Sequence, residues 1–77
     1  MNTNQEGPAP KSDEQIVSGV VLEALPDTHF KVQVGDNVLL SYLSGKMRLH
    51  RIRVLVGDKV EVLLDPYGGK GRIIKRM

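Results

Sequence analysis

Residues 29–34 alternate without a break: Phe30, Val32 and Val34 fall on one side of an extended backbone, and His29, Lys31 and Gln33 fall on the other. A period of two is the mark of a strand with one wet face. It constrains the whole fold, because the chain repeats such short extended runs and cuts them with turn residues. Residues 16–25 are rich in β-branched side chains, with Gly19 suited to a bulge or a sharp bend. Pro26-Asp27-Thr28 and Gly35-Asp36-Asn37 are turns, and residues 38–43 form a return strand, so the first three strands read as a meander. Residues 59–64 direct Val60, Val62 and Leu64 to a core, and residues 72–76 form a last strand after the glycine-rich loop 65–71.

One connector is different. Ser44-Gly45 closes the third strand, and Lys46 to His50 read as a single helical turn. A turn that short is not stable alone, but it can be when packed across a barrel end. Ile52, Val54 and Val56 continue as an extended segment up to the turn Gly57-Asp58. Five short strands, one small helical element and no second layer of helices leave few solutions. The expected class is all-β: a five-stranded barrel, whose closure removes the exposed edges. The pattern also fits an SH3-like barrel. The helical turn between strands three and four tips the choice toward the OB-fold.

Residues 1–14 have no apolar periodicity and contain Gly7, Pro8 and Pro10, which predicts a disordered N-terminal tail ahead of a single domain over 15–77. The chain of 77 residues contains no cysteine and two histidines, which removes disulfide, thiol and zinc-thiolate chemistry. There is no Gly-x-Ser-x-Gly elbow for a nucleophile. The carboxylates Asp27, Asp36, Asp58 and Asp65 sit in turns, where they satisfy nearby backbone. Gly68-Gly69-Lys70-Gly71-Arg72 lacks the spacing of a phosphate loop and leads into a strand. The reading is therefore of a protein that is not an enzyme and needs no cofactor or metal. Apolar runs such as Val38-Leu39-Leu40 are too short to span a bilayer, and Met1-Asn2-Thr3-Asn4-Gln5 is not a signal peptide. A cytoplasmic location without a membrane partner is expected.

The cations are clustered. The first fourteen residues carry net −2, while the rest hold ten Lys/Arg against six Asp/Glu, net +4. Lys46, Arg48, Arg51 and Arg53 fall within eight residues of the connector, and Lys70, Arg72, Lys75 and Arg76 within seven at the last strand. Merged on one side of a small barrel, they would neutralise phosphates, and arginine can stack on bases as well. Each cluster alone would equally suit an ordinary solvated face. The predicted RNA-binding residues are Lys46, Met47, Arg48, His50, Arg51, Arg53, Tyr67, Lys70, Arg72, Lys75 and Arg76. Met47 could either pack the connector or project beside the charges. Phe30 is assigned to the core on its alternation, and His29 to the wet face.

The residues Gly19 to Val32, the block Ser44-Gly45-Lys46-Met47-Arg48, then Ile52-Arg53-Val54, Gly57-Asp58-Lys59-Val60, Pro66-Tyr67 and Lys70-Gly71-Arg72-Ile73 resemble the bacterial translation initiation factor one family over about residues 16–76. The resemblance implies an OB-fold of the cold-shock-like type. It implies binding to the small (30S) ribosomal subunit near the aminoacyl site, in contact with small-subunit (16S-type) ribosomal RNA and a neighbouring ribosomal protein. It also implies assistance to the two larger initiation factors, from a protein that is a monomer off the ribosome. By position, the family's RNA-contacting connector falls on Lys46, Met47, Arg48 and onward to Arg53, and its basic last strand on Lys70, Gly71 and Arg72. The chain departs from the family at Leu49-His50, at Arg51 in place of a tyrosine, and at Tyr42 in place of a histidine. It also has a longer tail and a shorter loop after Tyr67. The alternatives are a general RNA-melting protein of cold-shock type, which the scarcity of aromatics disfavours, and an SH3-like protein-interaction module, which would show no RNA affinity at low salt.

Deleting residues 1–14 is expected to leave the melting midpoint within about 4 °C of the parent, the shift that ~1 kcal/mol produces in a small domain. A larger fall in a thermal melt would mean that the tail packs on the barrel.

Overall fold

The computed structural model describes residues 15–65 and 69–77. The expected tail over 1–14 and the predicted contact Tyr67 lie outside the described residues. The elements are β1 (Gln15–Ala24), β2 (His29–Val34), β3 (Asn37–Leu43), α1 (Gly45–Leu49), β4 (Lys59–Leu64) and β5 (Gly71–Arg76). They close into a barrel in the order β1-β2-β3-β5-β4, with β1 pairing back onto β4. All pairings are antiparallel except β3 with β5, which run parallel from Ser41↔Gly71 to Leu43↔Ile73. This is the OB-fold, a five-stranded mixed barrel with a short helix between its third and fourth strands.

Strand β1 is the longest because it serves two neighbours. Gln15 to Val20 pair with β4, and Val20 to Ala24 pair with β2. The strand therefore coils around the barrel and changes partner at Val20. Gly19 lies at this coil for lack of space: a Cβ there would meet Val32 Cγ1 at 2.5 Å, the Gln33 carbonyl oxygen at 2.8 Å and Val34 Cγ2 at 2.9 Å. The irregularity in the β1–β2 ladder comes later, between Val21 and Glu23. The glycine thus sits where β1 closes on β2, and the ladder irregularity lies beyond it.

The core is small and mostly β-branched: Val21, Val32, Val54, Val60, Val62 and Ile73, with Met47 from α1. Phe30, Val34, Leu39, Leu43 and Leu64 pack around it as half-buried residues, which places Phe30 on the side its alternation indicates. The extended segment expected at 52–56 does not join the sheet. Only Val54 turns inward, while Ile52 and Val56 stay exposed. The backbone of this segment is held elsewhere: Gly57 N–H donates to the Val21 carbonyl at 2.8 Å, and Leu55 N–H donates to Asp58 Oδ2 at 2.8 Å. Period-two spacing is not enough to make a strand when no free edge lies alongside.

Gly19→Ala is expected to destabilise the barrel by about 1–3 kcal/mol, because the atoms it meets are a backbone carbonyl and two stiff valine side chains. A chemical-denaturation curve measures this, and a midpoint equal to that of the parent would contradict the packing at β1.

Candidate nucleic-acid interface

The chain crosses the barrel end through α1. Ser44 is its N-cap, with φ −65 and ψ 160, and its hydroxyl accepts from the Met47 N–H at 3.2 Å. The Ser44 N–H in turn donates to the Ile73 carbonyl at 2.9 Å, which fixes the helix start against β5. The helix ends in a Schellman motif. Ile52 N–H reaches the Met47 carbonyl at 3.0 Å, and Arg51 N–H reaches the Arg48 carbonyl at 3.1 Å. The motif needs a left-handed residue after the cap, and Arg51 supplies it at φ 54, where glycine is the usual occupant.

This geometry sorts the predicted contact residues. Lys46, Arg48, His50, Arg51 and Arg53 are all exposed on the connector. Met47, expected among the RNA contacts, is instead a core residue at 1% exposure. Its position in the helix turns it into the barrel while its neighbours face out, so it anchors the cationic segment without being part of the surface. Leu49 and Ile52 among the cations, and Leu55 and Val56 just after them, are apolar and exposed.

Strand β5 unites the two clusters. Lys70 precedes it, and Arg72, Lys75 and Arg76 lie along it, all three exposed. At its far end the Arg76 guanidinium donates to the Arg53 carbonyl at 3.1 Å, joining strand and connector directly. At its near end, Lys70 Nζ lies 3.0 Å from His29 Nε2, and Arg72 Nε donates to the Tyr42 hydroxyl at 3.4 Å. Lys70 and Arg72 thus lie at the start of β5, and Arg76 at its end is bonded to the connector at Arg53. Glu61 is the partner of Lys75 across the β4–β5 ladder. Sequence reasoning left His29 and Tyr42 outside the site. Their only signal was placement on the wet faces of β2 and β3, which gives no pairing partner until the sheet order is known.

Comparison with known proteins agrees with this architecture. Residues 4–77 match the family model described as translation initiation factor 1A / IF-1. The chain belongs to this initiation factor family. A solution structure of translation initiation factor one from the Wolbachia endosymbiont of Brugia malayi is similar to it, at 34% identity and a TM-score of 0.72, over 86% of this chain and 80% of that one. YjeQ from Thermotoga maritima is also similar, at 28% identity and a TM-score of 0.69; the match covers 82% of this chain but only 23% of that larger protein. Membership makes the chain a non-catalytic OB-fold protein with a general ribosome- and RNA-binding role in translation initiation. Among the described residues no group of three or more His, Cys, Asp or Glu side chains is placed to hold a metal ion, and no helix is long and apolar enough to cross a membrane.

Arg51→Gly is expected to raise stability by about 0.5–1 kcal/mol, since it removes a left-handed non-glycine residue but adds freedom to the unfolded chain. In a thermal melt this appears as a rise of about 2–6 °C. A lower midpoint would show that the arginine side chain stabilises the connector in a way the cap geometry does not account for.

Proposed function

We propose that this factor binds the small (30S) ribosomal subunit near the aminoacyl site. There it contacts 16S-type ribosomal RNA and a neighbouring ribosomal protein, and it assists the two larger initiation factors. It acts by stoichiometric occupancy in the cytoplasm, as a monomer until it meets the ribosome, and leaves when the large subunit joins. Residues 15–77 carry the RNA-binding domain. The contact residues are Lys46, Arg48, His50, Arg51, Arg53, Tyr67, Lys70, Arg72, Lys75 and Arg76.

The observation that carries the proposal is the junction of the two basic clusters along β5, with Arg76 bonded to the Arg53 carbonyl. Separate clusters on opposite faces would be two weak solvated surfaces. A single band can neutralise several phosphates of one RNA at once, and affinity then grows with each counterion released. The apolar residues of the connector, Leu49 and Leu55 among them, suit a site where RNA and a ribosomal protein meet, because they offer surface that phosphates do not fill. Surface aromatics are few: the chain contains one Phe and two Tyr and no Trp. This favours a shape-and-charge mode over successive base stacking by a general RNA-melting protein.

Chemical probing of small-subunit RNA with and without the factor is expected to give protection confined to the decoding region. Scattered protection would favour the RNA-melting reading, and none from folded protein would contradict the proposal. Arg48→Ala and Arg72→Ala are each expected to weaken binding without unfolding the barrel. Removing a cation that neutralises one phosphate should flatten the slope of log K against log salt by about 0.7–0.9. The double variant is expected to be weaker and flatter still; a folded double variant with parental affinity and slope would remove the support for a single surface.

A further inference from the structure

His29 and Tyr42 do not belong to either basic cluster, yet each holds one of its cations. They are neighbours across the β2–β3 ladder, and Tyr42 is in turn the neighbour of Arg72 across the parallel β3–β5 ladder. The two rings meet edge to face, with centroids 6.4 Å apart and planes at 68°. The row His29–Tyr42–Arg72 thus crosses three strands on the outer face of the barrel. The Lys70 side chain reaches across from the start of β5 to the imidazole.

The hydrogen-bond chemistry of the imidazole is fixed by its partners. Nδ1 lies 3.2 Å from Asp27 Oδ1 and 3.3 Å from the Asp27 carbonyl oxygen, both acceptors, so Nδ1 carries the proton. Nε2 is then the lone-pair nitrogen of the neutral ring, and it faces the Lys70 ammonium, which can only donate. Asp27, His29 and Lys70 therefore form a directed chain. The carboxylate orients the ring and the ring orients the lysine. The Asp27 carboxyl is held below its ordinary range: partial desolvation raises it, but hydrogen bonds from the His29 backbone N–H and the His29 ring outweigh that.

The backbone adds an independent sign. Leu25 N–H bonds the His29 carbonyl at 2.8 Å, and Thr28 N–H bonds the Leu25 carbonyl at 3.3 Å, closing a tight turn over Pro26 and Asp27. Thr28 sits in this turn at φ 69. A β-branched residue is a genuine outlier there. Its hydroxyl donates to the Asp27 carbonyl. Thr28 and Arg51 are the positive-φ non-glycine residues among the described ones. One sets the direction of Asp27 and His29, and the other sits within the cationic connector. Strain concentrated beside charged groups points to function at those groups.

We infer that His29 and Tyr42 are positioning residues for RNA binding, holding Lys70 and Arg72 as an oriented pair of cations on the outer face of the barrel. A free lysine has four rotatable bonds and loses that freedom on meeting a phosphate. A lysine already docked on an imidazole has given up much of it before the RNA arrives. The ring edge and the tyrosine together set the lateral separation of the two cations, which selects among phosphate spacings. The inference rests on the reading that Lys70 and Arg72 meet RNA.

The test is a double-mutant cycle with purified small ribosomal subunits as the probe. His29→Phe keeps a ring against Tyr42 but removes the acceptor, and it is expected to weaken binding about threefold or more, the scale of one exposed charged contact. His29→Gln, whose amide oxygen can accept from Lys70, is expected to recover most of the loss. In the Lys70→Ala background, His29→Phe is expected to add nothing, because the group it positions is gone. Nitrogen-15 shifts of the free protein above neutral pH are expected to show His29 protonated on Nδ1. If His29→Phe binds like the parent while Lys70→Ala is weakened, or if the two losses simply add, the positioning role is overturned and the RNA reading stands. Parental binding by both Lys70→Ala and Arg72→Ala overturns the RNA reading of these cations as well.

Discussion

The structure depends on β5 fitting between β3 and β4. One edge of β5 pairs parallel with β3 and the other antiparallel with β4, and only then is the sheet closed. The fit is tight. A Cβ on Gly71 would stand 2.6 Å from Val62 Cγ1, 2.7 Å from Leu39 Cδ2 and 2.9 Å from Ser41 Oγ, so only glycine lets the strand enter between its neighbours. Because β5 separates β3 from β4, the chain cannot join them by a hairpin. It has to cross the barrel end. That necessity produces α1, puts Met47 over the core as a lid, and leaves the polar side of the crossing outside.

The cations of the connector are exposed for the same reason. A helix of five residues has room for one buried side chain, and the capping bonds of Ser44 and the Schellman motif fix which one it is. With Met47 inward, Lys46 and Arg48 face out beside β5. The barrel thus converts a run of mixed residues into a cationic surface with an apolar anchor beneath. Such a surface costs self-repulsion, which salt and nearby carboxylates such as Glu61 reduce and which a phosphate-rich partner reverses.

Two left-handed residues, Thr28 and Arg51, lie in the turns that border this surface. Neither was visible in the pattern of side chains, since nothing in Pro26-Asp27-Thr28 or His50-Arg51-Ile52 demands positive φ. The ladder and cap hydrogen bonds on either side impose it. The strain at these positions falls where the chain also presents charge.

The sequence by itself determined the strands, the turns and the clusters. Period-two spacing and turn chemistry are local, and the fourth strand, the second strand and the helical turn are legible from a few adjacent residues each. The specific block Ser44-Gly45-Lys46-Met47-Arg48 carried the family as well. The tertiary structure decided everything that needs two distant segments at once. It put Met47 in the core, kept residues 52–56 out of the sheet, moved the β1 irregularity past Gly19, and brought Arg76 to Arg53 and Lys70 to His29. These outcomes depend on which strand edge is already occupied and on how much space remains between packed side chains. Such quantities exist only once the barrel is closed.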